Sequence, residues 1–147
     1  QNNQPASQLI AMEAGVEIEA TVLGLAVLLA IVQLMLFAVP ANRAIGPAWL
    51  AGPRAAAPPA PLSNGTARPQ RAFLHHIEGL VLPTGATVFV IAADATGPVT
   101  AAAAILYLAA RVAYVPCYWT GVRWVRSGVW ALGLLGTLVM VLAGLLS

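Results

Sequence analysis

Arg71, His75 and Glu78, and then Arg111, Tyr114 and Tyr118, are polar side chains at helical spacing inside stretches apolar enough to cross a membrane. An ionised side chain near a bilayer centre costs about 2.5 to 3.5 kcal/mol on insertion scales, so it is kept where it has a partner or a task. Advancing about 100° per residue, Arg71, His75 and Glu78 fall within roughly a 60° arc of one helix, and Tyr107, Arg111, Tyr114 and Tyr118 do the same on another. Lipid cannot solvate such faces, so both are expected to point inward, toward a neighbouring helix or a water-accessible cleft. Counted at about 1.5 Å per residue from Arg71 and Trp119 at one membrane edge, Glu78 and Arg111 reach similar depth. They are therefore expected to neutralise each other. Such a pair can serve a binding site or only hold two helices together, and spacing leaves both readings open.

Metal chemistry is not expected. Adjacent His75 and His76 diverge by about 100° on a helix and make a poor chelate. A single cysteine, Cys117, excludes an internal disulfide and a Cys-rich metal site, and reads as a small buried hydrophobe.

The elements that position these residues follow from composition and length. With 60% hydrophobic and 8% charged residues, the chain lies far from the quarter-charged average of soluble domains. It reads as an all-α integral membrane protein, a four-helix bundle in a single domain over residues 1–147. Spans of about twenty residues cover the hydrocarbon core, and they are expected at 20–39, 72–93, 99–119 and 128–146. Pro40 should stop the first, and Pro83 should kink the second. Residues 40–70 hold seven prolines and read as an extended cytoplasmic loop, with Ser63 to Thr66 as a turn. Asp94 to Pro98 reads as a tight turn between the second and third spans. The chain opens at Gln1 rather than Met, as expected if an upstream segment has been removed or left out.

Charge distribution orients the bundle. Arg43, Arg54, Arg68 and Arg71 flank the first connection and Arg123 and Arg126 the third, whereas Glu13, Glu17 and Glu19 precede the first span and only Asp94 marks the second connection. By the positive-inside rule the first and third loops are cytoplasmic and both termini lie on the other side. The three glutamates should form a solvated approach to the first helix, and Arg68 and Arg123 should act as topology determinants. Trp119, Trp124 and Trp130 read as interfacial belt residues. The net charge of +2 comes without a basic run, so no nucleic acid is expected. Gly128, Gly133, Gly136 and Gly144 permit close backbone approach on the fourth helix, and the charged faces need a neighbour. A homotrimer in membrane lipid is the expected assembly.

The segment RPQRAFLHHIEGLVLP resembles the second-helix signature of the MAPEG superfamily, the membrane-associated proteins of eicosanoid and glutathione metabolism, in a bacterial-type member. That pattern reads Arg, three residues, Asn, two residues, Glu. Arg71 and Glu78 match it, and His75 stands where the pattern has Asn. YLAARVAYVPCYWTGVRWVRSGVW is similar to the family's third helix, following loop and start of the fourth, with Arg111, Tyr114 and Tyr118 at the family's spacing and the pair Arg126 and Ser127. The likeness extends over roughly residues 20 to 146.

The resemblance implies glutathione as co-substrate, bound between adjacent subunits near the cytoplasmic membrane edge. Arg126, with Ser127 beside it, would stabilise the thiolate. Arg71, His75, Glu78, Arg111, Tyr114 and Tyr118 would hold the peptide's charged groups. The activity implied is that of a glutathione-dependent transferase or peroxidase acting on hydrophobic small-molecule electrophiles, in the bacterial inner membrane. The family also includes a lipid-binding protein without catalysis, so the alternative is a non-catalytic lipid-binding or accessory subunit of a larger membrane complex.

Overall fold

The computed structural model describes residues 6–53, 63–120 and 123–147, with the side chains of 18–49, 51–53, 63–117 and 124–147. The chain runs as α1 (Ala6–Ile45), a short α2 (Pro47–Ala51), α3 (Asn64–Ala92), α4 (Pro98–Thr120) and α5 (Arg123–Leu146). Four stretches are long and apolar enough to cross a membrane: Ile18–Ile45, Asn64–Ala92, Pro98–Cys117 and Trp124–Leu146. Their outward faces carry large apolar side chains such as Leu28, Val81, Leu82, Val88, Val99 and Leu138, as lipid-facing helices require.

Two ends differ from expectation. Pro40 lies inside α1, which continues to Ile45. Proline removes one donor and adds a steric clash, but a membrane helix tolerates this where neighbours satisfy the freed groups. The stretch read as an extended loop over 40–70 therefore contains the end of α1, all of α2 and the first turns of α3. Ser63 to Thr66 is the amino-terminal cap of α3 rather than an isolated turn. The Ser63 carbonyl accepts from the Thr66 and Ala67 amides at 2.9 and 2.8 Å, and its hydroxyl lies 3.2 Å from the Thr66 hydroxyl.

The α3–α4 connection is tight for an identifiable reason. Asp94 takes a positive φ of 53°. Its amide donates to Ile91, and the Ala95 amide donates to Val90, at 3.1 and 2.9 Å. This is the Schellman closure of a helix, with aspartate in the place glycine usually takes. Gly97 and Pro98 then open α4, and the Thr100 hydroxyl accepts from the Gly97 amide at 2.8 Å. The same hydroxyl donates to the carboxylate of Glu19, which is fully buried. A carboxylate at a helix amino terminus is favoured by the aligned backbone dipoles. Glu19 is thus an internal brace between α1 and α4, not part of a solvated approach. The side chains of Glu13 and Glu17 lie outside the described residues.

Packing places α3 and α4 in the middle of the bundle. Each contacts α1 and α5, and among the described residues α1 does not pack on α5. One core joins Val22, Ala86, Val90, Ala103, Ala104 and Met140. Alanine is the most frequent residue of the buried core because dispersion between closely approaching backbones, rather than exclusion of water, drives helix association in lipid. At the α4–α5 contact a Cβ on Gly136 would stand 2.7 Å from the Ala103 carbonyl oxygen, whereas one on Gly128 would meet nothing within 4 Å. Gly136→Val should force the helices apart and destabilise the protein by about 1–3 kcal/mol. Gly128→Ala should be neutral or slightly stabilising. Thermal unfolding in mild detergent checks both.

Candidate functional site

The polar stripe of α4 is buried. Tyr107, Arg111 and Tyr114 are 2%, 6% and 4% exposed. A guanidinium at this depth needs acceptors, and the structure supplies one through a defect in α3. In an unbroken helix the Gly79 carbonyl would accept from the amide of residue 83, but residue 83 is proline and has no N–H. Arg111 Nη2 and the Tyr107 hydroxyl both donate to that carbonyl, each at 3.2 Å. Glycine at 79 is part of the arrangement, since a Cβ there would stand 1.9 Å from Nη2. The guanidinium carbon also lies 5.2 Å from the Tyr107 ring centroid, a cation–π contact worth about 0.5–2 kcal/mol.

The polar stripe of α3 behaves differently. Arg71, His75 and Glu78 lie on the outer face of the subunit, with the His75 and Glu78 side chains 49% and 75% exposed. The inward orientation expected for both stripes therefore holds for the described residues of α4, while on α3 His75 and Glu78 face a cleft rather than a neighbouring helix and Arg71 does not. Nor do Glu78 and Arg111 form an ion pair among the described residues. His75 Nδ1 lies 3.7 Å from a Glu78 carboxylate oxygen, and Arg111 takes the Gly79 carbonyl instead. Equal depth sets how far two residues stand along a helix, but not the direction in which each side chain points.

These residues nevertheless gather around two adjoining cavities. One, of about 260 Å³, is lined by polar His75, Glu78, Arg111 and Thr137 and by apolar Leu82 and Leu134. The other, of about 330 Å³, is lined by His75, Tyr114, Arg126, Ser127, Trp130 and Ala131. His75 and Trp130 belong to both walls. His75 also meets the Tyr114 ring edge-on, with centroids 6.1 Å apart. Together they form a cleft with Arg111 and Glu78 among the lining of one cavity and Arg126 in that of the other. Such a cleft can hold a small zwitterion whose charged groups are separated by an uncharged stretch.

Five expected residues thus share the cleft with His75: Glu78, Arg111, Tyr114, Arg126 and Ser127. Arg71 lines neither cavity; it is exposed one turn before His75 on α3. The Tyr118 side chain lies outside the described residues. No cluster of three or more His, Cys, Asp or Glu with metal-binding geometry occurs among the described residues. Sequence reasoning passed over Gly79, Thr137 and the inward side of Trp130. For Gly79 a signal existed, a glycine four residues before a proline in one span, with an arginine inside the next span to need an acceptor. Gly79→Ala should displace the guanidinium and cost about 1–2 kcal/mol after helix propensity is counted. Gly85→Ala, on the same helix with nothing within 4 Å, should not destabilise. Denaturant unfolding of the two variants in detergent separates these outcomes.

No curated protein and no solved structure matches this chain. Its similarity lies at the level of a family: the MAPEG family matches residues 22–146, from the upper part of α1 through α5. Since that match takes in all four membrane-length helices and every residue lining the cleft, the chain belongs to the MAPEG family.

Proposed function

We propose that this protein is a glutathione-dependent transferase or peroxidase acting on hydrophobic electrophiles in the membrane. The observation that carries the reading is the paired cavity, with Arg126 and Ser127 in one wall, Glu78 and Arg111 in the other, and His75 shared between them. Glutathione offers a thiol, an amine and two carboxylates. Glu78 suits the amine, Arg111 and Arg71 suit carboxylates, and the phenol groups of Tyr114 and Tyr118 suit hydrogen bonds to the peptide. Arg126 is then the cation for the sulfur.

The chemistry asked of Arg126 is within its means. An unperturbed thiol is only about 3% thiolate at pH 7, and lowering its pKa by about two units takes roughly 2.7 kcal/mol. A guanidinium at about 4 Å supplies roughly 4 kcal/mol at an effective dielectric of 20. The thiol proton leaves to water at the membrane edge, and the thiolate attacks the electrophilic atom of a substrate arriving from the lipid. Opening of an epoxide or departure of a leaving group completes the transfer.

The exposed Glu78 and His75 need cover at bilayer depth, so a second copy of the chain is the natural wall of the cleft. A homotrimer, with the edge carrying Arg71 and Arg126 toward the cytoplasm of a bacterial cell, accommodates this. One observation favours a second reading. His75 stands in the Asn position of the family pattern and differs in shape and in its hydrogen-bonding groups, which suits a non-catalytic lipid-binding or accessory subunit of a larger complex.

Isothermal titration of glutathione into the purified protein decides between them. On the enzymatic reading Arg126→Ala keeps most of the binding, loses the ultraviolet absorbance of bound thiolate and lowers turnover about 100-fold or more. Arg71→Ala instead weakens binding, because a carboxylate contact is equally strong in ground and transition states. If the unmutated protein takes up no glutathione at millimolar concentration, the accessory reading stands.

A further inference from the structure

Arg111 has more donors than the Gly79 carbonyl engages. Its Nε and Nη1 are buried without a hydrogen-bond partner among the described residues, and so are Gln33 Oε1 and both ring nitrogens of His76. Gln33, His76 and Arg111 are 3%, 1% and 6% exposed and come from α1, α3 and α4. Phe37 and Phe73, with ring centroids 5.3 Å apart, set α1 against α3. One turn further into the bundle on each helix stand Gln33 and His76, which therefore share a level. His76 precedes Gly79 by three residues, on the same face of α3 and about 4.5 Å along the axis from the residue that anchors Arg111. The imidazole feels the Arg111 charge and faces the Ala26 carbonyl of α1, without a bond of normal geometry to either ring nitrogen.

Each buried polar atom left unpartnered costs more than an average hydrogen bond contributes. Five at one level would rival the whole stability of a domain this size. Their chemistry is complementary. The two guanidinium nitrogens only donate, the amide oxygen only accepts, and a neutral imidazole does one of each. A water molecule, with two donors and two acceptor sites, can serve members of all three at once. A dry core would need these side chains to meet directly, and their fixed places on three helices do not bring them within bonding distance.

We propose that ordered water between α1, α3 and α4 bridges Gln33, His76 and Arg111, and that His76 is thereby a positioning residue for the Arg111 guanidinium in the cleft wall. This internal site is distinct from the cleft, since His76 points about 100° away from His75 around α3. It is also independent of what the cleft binds. Water engages the remaining donors of Arg111, fixing the plane of its guanidinium while the Gly79 carbonyl fixes its reach.

The test uses the full chain in lipid nanodiscs. An electron cryomicroscopy map at a resolution that shows ordered water should contain density within hydrogen-bonding distance of at least two of the three side chains. A map with the side chains in direct contact, or with no density between them, overturns the proposal. In parallel, His76→Leu and Gln33→Leu should each lower the unfolding midpoint, with the double variant losing clearly less than the sum because the two share the same water. His76→Asn, which keeps a donor and an acceptor, should recover most of the loss. Additive losses, or a His76→Asn variant as unstable as His76→Leu, would equally sink it. Should a Leu variant fail to fold, the map of the unmutated protein still decides.

Discussion

The position of one cation, Arg111, depends on the absence of one backbone proton. Pro83 leaves the Gly79 carbonyl without its helical donor, Gly79 leaves space beside that carbonyl, and Arg111 with Tyr107 fills both. A hydrogen bond from a charged donor is worth about 1.5–3 kcal/mol. In a bilayer its value is set against the larger penalty of a bare cation. The bond therefore does two things. It allows an arginine to persist in the bundle interior, and it fixes how α4 is turned against α3, which in turn places Tyr114 beside His75 in the cleft.

Around that point the bundle separates rigidity from exposure. The α4–α5 contact is close because Gly136 faces the Ala103 backbone, and the shared core is built from small side chains that allow little relative movement. The charged residues of α3 lie on the outside of the same scaffold. A site made this way has a firm inner wall, formed by α4 and α5, and an outer rim on α3. Its inner residues are set by packing within one subunit. The outer ones are held by fewer contacts, His75 by Glu78 and by the edge of Tyr114.

The spans were legible because a membrane leaves few options: a charge-free run of about twenty residues has to be a helix that satisfies its own backbone. Helix ends were less so. Pro40 marks no end, since the signal that stops a helix in water is tolerated where lipid offers the backbone no alternative partner. Ser63 carried a readable cap signal that the prolines on either side masked. The residues of the cleft were legible as types and spacings, and His75, Glu78, Arg111, Tyr114, Arg126 and Ser127 do come together. Their pairing was not, because periodicity reports a face and a depth but not which atom a side chain reaches. Glu19 shows the limit most plainly. Its partner Thr100 is 81 residues further along the chain, and nothing local distinguishes a buried brace from a solvated acid.

That brace bears on the order in which the protein assembles. A helix leaving the ribosome first carries Glu19 into the membrane boundary with no donor to meet it, because the threonine and the helix amino terminus that complete it belong to α4. The α3–α4 connection is closed by its own Schellman turn, in which α1 takes no part. The contact of α1 with α4 at this carboxylate is consequently complete only once α4 is in place. A chain that ended before α4 would lack Thr100, the described partner of this buried carboxylate.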